Sequence, residues 1–156
     1  MSDVLTAIYR GDREEAERLA TGRELDVFEA AALGRVDRLA ELLDDDPALA
    51  NAWADDGFQA LGLASFFGQV DAARLLVERG AEVNSPSRNA MKVMPLHSAA
   101  AAREPDVRYA IAKLLLDAGA EPNARQQDDY TPLMAADQHG DTRLRQLLIE
   151  HGATAT

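Results

Sequence analysis

The chain has no cysteine and few lysines, and both features limit the functions that it can have. Without cysteine, disulfides, thiolate catalysis and thiolate-ligated zinc are excluded, so packing must supply the stability. Lys92 and Lys113 are the only lysines, and 16 basic residues face 27 acidic ones, which gives a net charge of −11. Because this charge repels phosphate backbones and anionic lipid headgroups, we expect neither nucleic acid nor a membrane as a partner.

Long hydrophobic runs are also absent from the sequence. No segment approaches the roughly 18 apolar residues that a membrane span needs, and residues 1–4 are acidic and lack the pattern of a signal peptide. We therefore expect a cytoplasmic location. The preference for arginine over lysine, with abundant alanine, is typical of a GC-rich, bacterial genome. At 156 residues and 47% hydrophobic content, the chain can bury one continuous interior.

One short segment recurs along the chain. Gly80–Asn84 is repeated as Gly119–Asn123 and begins again at Gly152, each time after a pair of leucines. Self-similarity at a period in the thirties indicates one supersecondary unit that has been stacked, so that neighbour contacts set the fold. Such a stack more often presents a binding surface than a pocket for chemistry.

Each unit opens on an apolar anchor at the start of a short helix. The anchors are Val4, Val27, Leu61, Leu96 and Leu133. Three positions later stands alanine, where we expect adjacent units to approach closely: Ala7, Ala30, Ala64, Ala99 and Ala136. Seven positions after the anchor, four units have a glycine that predicts a helix end with positive φ: Gly11, Gly34, Gly68 and Gly140. A second helix and a glycine stop follow, and there is no strand pattern.

Two segments carry a recognisable signature. Met94–Ala100 and Thr131–Ala136 resemble the Thr-Pro-Leu-His-x-Ala-Ala motif of ankyrin repeats, and Gly80–Asn84 resembles the helix stop of that family. The resemblance implies an all-α ankyrin-repeat solenoid, in which helix-turn-helix units with hairpin-like loops are stacked. It implies one domain, 1–156, with repeats at about 1–23, 24–51, 52–84, 85–123 and 124–156, some of them degenerate caps. It also implies that His97 braces its turn.

Two units depart from this pattern. In the second unit Asp44–Asp46 replaces the glycine stop, and because acidic residues oppose the dipole at a helix C-terminus, we expect this end to fray. In the fourth unit Arg103–Asp106 replaces the glycine of the turn. There we expect Pro105 to end the first helix and Asp106 to cap the second.

The sequence gives no support for catalysis. The three histidines, His97, His139 and His151, lie in different repeats without carboxylates at metal-ligand spacing. The aspartate runs lack the alternation of a calcium loop, no glycine-rich phosphate loop follows a strand, and no serine stands in a nucleophile elbow. We predict no catalytic residue, no metal, no cofactor and no enzymatic activity.

The resemblance instead indicates where a partner would bind. Partner-facing positions in ankyrin repeats are the loop tips before each anchor and the exposed side of the first helix. They predict a contact set of Tyr9, Leu33, Trp53, Asp55, Asp56, Phe58, Phe66, Phe67, Met91, Tyr130, Gln138 and His139. Six of the eight aromatic residues belong to this set, which places its expected centre in the third unit. The alternative is that Phe66 and Phe67 are core residues and that Trp53 folds onto its own loop.

These observations favour a non-enzymatic module that binds another protein. An aromatic centre bordered by Asp55, Asp56, Asp128 and Asp129 predicts a partner with an apolar patch ringed by Lys or Arg, and steering that weakens with salt. One form of this role is to cap the active site of an enzyme. The alternative is a homo-oligomeric structural protein that uses the same apolar face for self-association.

Overall fold

Short α-helices that follow one another in pairs build residues 2–155, the part of the chain that the computed structural model describes. There are ten of them, α1 to α10 in chain order: Asp3–Tyr9, Arg13–Ala20, Val27–Leu33, Val36–Asp45, Ala60–Phe66, Val70–Glu78, Pro95–Ala100, Pro105–Asp117, Pro132–His139 and Thr142–Glu150. Two 3-10 helices, Pro47–Asn51 and Gln127–Asp129, lie in the loops. The prediction of an all-α repeat fold is confirmed.

Local side chains explain where the helices start and stop. Asp26 begins α3 with a capping box, because its carboxylate accepts the Glu29 N–H at 2.8 Å while the Glu29 carboxylate accepts the Asp26 N–H at 3.0 Å. Asp12 caps α2 through the Glu15 N–H at 3.0 Å. The four predicted turn glycines all have positive φ, between +64° and +79°, which confirms their role.

The helices form two layers. The first helix of each pair packs on its neighbours in an inner layer, α1 on α3, α3 on α5, α5 on α7 and α7 on α9, while α4, α6, α8 and α10 stack behind them. The alanine predicted three positions after each anchor is buried in every unit, with at most 4% of its surface exposed. Close packing of the inner layer therefore depends on these small side chains, as expected.

The loops between units are hairpin-like and bond to one another. Within each of the last three loops one backbone N–H donates across the turn: Ala54 to the carbonyl of Phe58 at 2.8 Å, Ser87 to that of Val93 at 2.8 Å, and Gln126 to that of Tyr130 at 3.0 Å. Between loops, the Arg88 N–H donates to Gly57 at 2.8 Å and the Gln127 N–H donates to Met91 at 2.9 Å. Gly57 has a φ of +89°, and a Cβ there would lie 2.6 Å from the Arg88 carbonyl oxygen, so only glycine fits.

Three asparagines repeat the same bridge between successive units. Asn51, Asn84 and Asn123 each donate a side-chain N–H to the carbonyl of the next helix-ending glycine at 3.0 Å. Each side-chain oxygen accepts a backbone N–H two residues beyond that glycine at 2.8 Å. The recurring asparagine therefore fixes one unit against the next, a role that the sequence pattern alone did not reveal.

The second unit forms its helix end despite the acidic run. Helix α4 includes both Asp44 and Asp45, so the expected fraying is not seen. Arg79 of the next unit contacts the Asp44 carboxylate at 2.7 Å, and Asp46 accepts the Ala48 N–H at 3.2 Å to start the 3-10 helix. These contacts offset the unfavourable dipole.

In the fourth unit, which lacks a turn glycine, a buried arginine of the second helix holds the turn. Helix α7 already ends at Ala100, so Pro105 does not end the first helix as expected and instead stands at the start of α8. Asp106 does not cap α8 either, and pairs with Arg143 at 3.3 Å. Arg108, 5% exposed, donates to the carbonyls of Ala102 at 2.8 Å and Arg103 at 3.0 Å. It also pairs with the Asp141 carboxylate at 2.9 Å. This pair ties α8 to α10 and was not foreseen from the sequence.

Candidate protein-binding groove

Large apolar side chains are exposed at few places in residues 2–155, and three of them share one groove. Tyr9 is 38% exposed, Phe66 45% and Met91 42%. They border a depression of about 450 Å³, named here the aromatic groove. Its lining consists of Tyr9, Phe58, Gly62, Leu63, Phe66, Met91, Val93, His97, Ser98, Ala101, Gln126, Tyr130, Ala135, Gln138 and His139.

The floor of the aromatic groove is made by small residues of the inner helices. Gly62 on α5, Ser98 on α7 and Ala135 on α9 lie along it. Gly62 is unusual because it stands inside a helix, where glycine costs about 0.5–1 kcal/mol relative to alanine. A Cβ at Gly62 would meet nothing within 4 Å, so packing does not require the glycine. What the missing side chain provides is room in the groove.

A histidine braces the groove from below. The His97 Nδ1 accepts the Met94 N–H at 3.2 Å, and Nε2 lies 3.0 Å from the Ala124 carbonyl and 3.1 Å from that of Tyr130. These three contacts fit a neutral ring that carries its proton on Nε2. Burial lowers the pKa of His97, which favours the same form. The predicted structural role of His97 is confirmed.

Tyr9 closes one end of the aromatic groove by reaching across a whole unit. Its hydroxyl donates to the Asp56 carboxylate at 3.1 Å, and its ring lies 5.4 Å from that of Phe67. Burial, and then the negative charge of Asp56, raise the pKa of Tyr9, so the hydroxyl stays a donor. At the other end Tyr130 donates to Gln138. Both tyrosines are thus held in place before any partner arrives.

A second depression of about 680 Å³, named here the arginine groove, adjoins the first. The two share Tyr9, Phe66, Ala101 and His139. The remaining lining of the arginine groove is Ile8, Gly11, Arg13, Phe67, Gly68, Gln69, Arg103, Glu104 and Val107. Phe66 stands between the grooves and is supported by an edge-on contact with Phe67, whose ring centre lies 5.0 Å away.

The structure brings most of the predicted contact set together. Seven of its members line the aromatic groove: Tyr9, Phe58, Phe66, Met91, Tyr130, Gln138 and His139. Phe67 is partly buried against the core and lines the arginine groove, so of the two adjacent phenylalanines only Phe66 is exposed. Trp53, Asp55 and Asp56 border a separate cleft of about 180 Å³. Outside that cleft, the Arg88 guanidinium lies 4.1 Å from the Trp53 ring centre. The expected single centre is therefore divided.

Leu33 does not belong to the surface, which corrects its place in the contact set. It is 3% exposed, and its neighbour Ala32 is 0% exposed. The physical reason is that α3 lies between α1 and α5, while Tyr9 from α1 and Phe67 of the third unit meet across the end of α3. Side chains from both sides thus cover the position that the repeat pattern marks as exposed.

Three of the groove residues that the sequence did not reveal are Gly62, Arg13 and Arg103. Gly62 carries a weak signal, since a glycine inside a helical pattern has an energetic cost and usually a reason. Arg13 and Arg103 carry none, because arginines at the starts and ends of helices are common on solvated surfaces. Their placement on one groove follows only from the stacking of the first, third and fourth units.

The helix pairs, the hairpin-like loops and the asparagine bridges define a helical repeat protein of the solenoid type. The family model described as ankyrin repeats in three copies matches residues 27–126. The chain belongs to the ankyrin repeat family. Within residues 2–155, no helix has the length and apolar character to cross a membrane.

Several curated proteins are similar to the chain over part of their length. A putative ankyrin repeat-containing protein of Treponema pallidum (strain Nichols) is 31% identical over 157 residues, which cover 90% of this chain and 51% of that protein. The E3 ubiquitin-protein ligase Ufd4 of Drosophila melanogaster is 36% identical over 70% of this chain and 4% of its own length. The ankyrin repeat and SAM domain-containing protein 6 of Rattus norvegicus is 32% identical over 83% of this chain and 13% of its own length. The chain thus spans about half or less of each of these relatives.

Proposed function

We propose that the chain is a non-enzymatic module that binds a partner protein by taking an apolar side chain of that partner into the aromatic groove. Ankyrin repeats are protein–protein interaction modules, and the chain belongs to that family. The observation that carries the proposal is the collection of three exposed large side chains, Tyr9, Phe66 and Met91, around one depression. Aromatic residues in a site that can be desolvated are the usual anchors of protein interfaces.

The aromatic groove is preorganised for this role. His97 fixes the loop beneath it through three hydrogen bonds, Tyr9 is held by Asp56, and Tyr130 is held by Gln138. A side chain that is already ordered loses little entropy on binding, so more of the contact energy appears as affinity. The empty space above Gly62 gives an incoming apolar group a place to fill.

The charges at the loop end of the groove influence which partner fits. Asp55, Asp128 and Asp129 are exposed on the loops that lead to Phe58 and Tyr130 of its lining, and with the net charge of −11 they favour a patch bordered by Lys or Arg. Arg88 and Lys92 are exposed in the neighbouring loop, which moderates this preference. We expect association rates to fall with salt, because surface charges are screened.

The test uses a variant that fills the groove without weakening the fold. Gly62→Leu adds a side chain where a Cβ meets nothing within 4 Å, and leucine is a good helix former. Met134→Ser is the matched control, because Met134 is 44% exposed, much like Met91, but does not line the aromatic groove. Proteins captured from lysate of the source organism by the natural chain are purified, and their affinities for all three chains are measured by calorimetry.

The proposal expects a protein whose affinity falls at least about tenfold with Gly62→Leu and stays within about threefold with Met134→Ser. Equal affinity for the natural chain and Gly62→Leu would place the binding surface elsewhere. If light scattering instead shows that the natural chain is a dimer and that Gly62→Leu is a monomer, self-association becomes the function of this face.

A further inference from the structure

The basic side chains of this acidic protein differ in whether they form ion pairs with carboxylates. Most of those in residues 2–155 are held in ion pairs with carboxylates, as Arg18 is by Glu15, Arg74 by Asp71 and Arg145 by Asp137. Arg13 and Arg103 are both exposed and have no such pair within the described residues, and both line the arginine groove. Two arginines that form no ion pair within residues 2–155 therefore line the same groove as the exposed Phe66.

The local charge of the arginine groove is opposite to that of the whole chain. Among the described residues, Glu104 is the only acidic one in its lining, against Arg13 and Arg103, and His139 is the only other titratable basic group there. Arginine forms charge-assisted hydrogen bonds with carboxylates, often two at once. In a chain with a net charge of −11, a groove with a surplus of cations is complementary to an acidic group.

We propose that the partner presents an extended segment in which an apolar residue is followed or preceded closely by an Asp or Glu. The apolar side chain occupies the aromatic groove, the backbone crosses Phe66, and the carboxylate lies between Arg13 and Arg103. This inference rests on the function proposed above, and it adds the course of the bound segment across the two grooves and its charge.

The connection of the two grooves supports a single continuous occupant. The two grooves adjoin directly, because they share Tyr9, Phe66, Ala101 and His139. An extended peptide advances about 3.3 Å per residue, and crossing one aromatic ring therefore takes about two to four residues. The carboxylate should stand that many positions from the apolar anchor.

The experiment selects the bound chemistry from random sequences, so the partner need not be identified first. Short random linear peptides displayed on phage are selected on the natural chain and depleted on Gly62→Leu. The enriched peptides are sequenced, and the strongest is labelled with fluorescein. Its dissociation constant is then measured by anisotropy for the natural chain and for two charge variants.

The two variants carry the same total change in charge. Arg13→Glu/Arg103→Glu reverses the arginines of the groove, whereas Arg18→Glu/Arg74→Glu reverses two exposed arginines on α2 and α6, away from both grooves. Comparison of the two removes the effect of net charge on long-range attraction. Thermal melts of all variants show whether each is folded.

The proposal expects peptides with an acidic residue two to four positions from an apolar one. It expects Arg13→Glu/Arg103→Glu to weaken binding of the labelled peptide by about tenfold or more. The control variant on α2 and α6 should weaken binding of the same peptide by less than about threefold. Exchange of the peptide carboxylate for lysine should restore binding to Arg13→Glu/Arg103→Glu. Enriched peptides that depend on Gly62 but lack an acidic residue, or that bind both charge variants equally, overturn this inference and leave the proposed function standing. If no peptide discriminates against Gly62→Leu, the proposed function fails as well.

Discussion

The buried pair of Arg108 and Asp141 offers the sharpest test of how the last two units are held together. Replacing Arg108 with methionine keeps much of the apolar stem but removes the guanidinium. The Asp141 carboxylate, 7% exposed, would lose its cation, and the carbonyls of Ala102 and Arg103 would lose their donor. Breaking a buried ion pair from one side costs about 3–5 kcal/mol, because an uncompensated charge stays buried.

The double variant Arg108→Met/Asp141→Asn distinguishes two free energies: the cost of leaving the Asp141 carboxylate buried without a cation, and the net contribution of the ion pair to stability. Asparagine removes the charge but can still accept the Leu144 N–H that Asp141 accepts at 3.0 Å, so the start of α10 remains capped. Replacing both members of a buried pair is often close to neutral. We therefore expect the double variant to be more stable than Arg108→Met, by about 1–3 kcal/mol.

Urea unfolding followed by circular dichroism measures these differences, with Arg74→Met as the control. In the ion pair of Arg74 with Asp71, the two side chains are 50% and 78% exposed, so loss of this pair should cost less than about 1 kcal/mol. A loss below about 1 kcal/mol for Arg108→Met, or a double variant no more stable than the single one, would refute this reasoning.

Three further predictions concern the fold and are checked by the same unfolding assay. Ala99→Leu should lower the unfolding free energy by about 1–3 kcal/mol, since Ala99 is 0% exposed between inner helices; an unchanged value would mean that the layer is loosely packed. Gly57→Ala should cost about 2 kcal/mol or more, because φ is +89° and the new Cβ would lie 2.6 Å from the Arg88 carbonyl oxygen; retention of natural stability would contradict the loop contact. Because burial lowers the pKa of His97, the unfolded state binds a proton more readily, and stability should fall as pH drops from about 7 through the ordinary histidine pKa of about 6.5. His97→Gln should flatten that slope, and equal slopes in both chains would show that another group causes it.

The repeat pattern was enough to predict most of the local structure of the chain, apart from the end of α4 and the turn before α8. Buried alanines and positive-φ glycines follow from sterics that act within one unit or between adjacent ones, so their spacing is visible in the sequence. The same holds for His97, whose signature position fixes its partners. The repeat boundaries and the cytoplasmic location stay predictions.

The side-chain contacts between different units of the solenoid could not be predicted. Tyr9 bonds Asp56 and packs its ring near Phe67 across an entire unit, and Leu33 of the unit between them, which had been expected to be exposed, is buried. Arg108 holds a turn that lacks glycine and also reaches Asp141 in the next unit. Such contacts depend on side-chain length and on the angles between units, which a one-dimensional repeat pattern does not contain.

The division of the predicted contact set has the same origin. Phe66 and Trp53 belong to one unit, but the loop that carries Trp53 turns it toward Arg88 of the next loop, away from the aromatic groove. The repeat pattern assigned both residues to partner-facing positions, because it specifies position in the repeat and not the direction of the side chain. Seven of the predicted residues nevertheless meet around one depression.

Hydrogen–deuterium exchange of the chain with and without a bound partner, or with the selected peptide, tests the central claim most directly. If the aromatic groove binds the partner, protection should increase in the loops and inner helices that line it, across residues 58–66, 91–101 and 126–139. The outer helices α4, α6 and α10 should exchange as before. Protection confined to those outer helices, with the groove segments unchanged, would contradict the account.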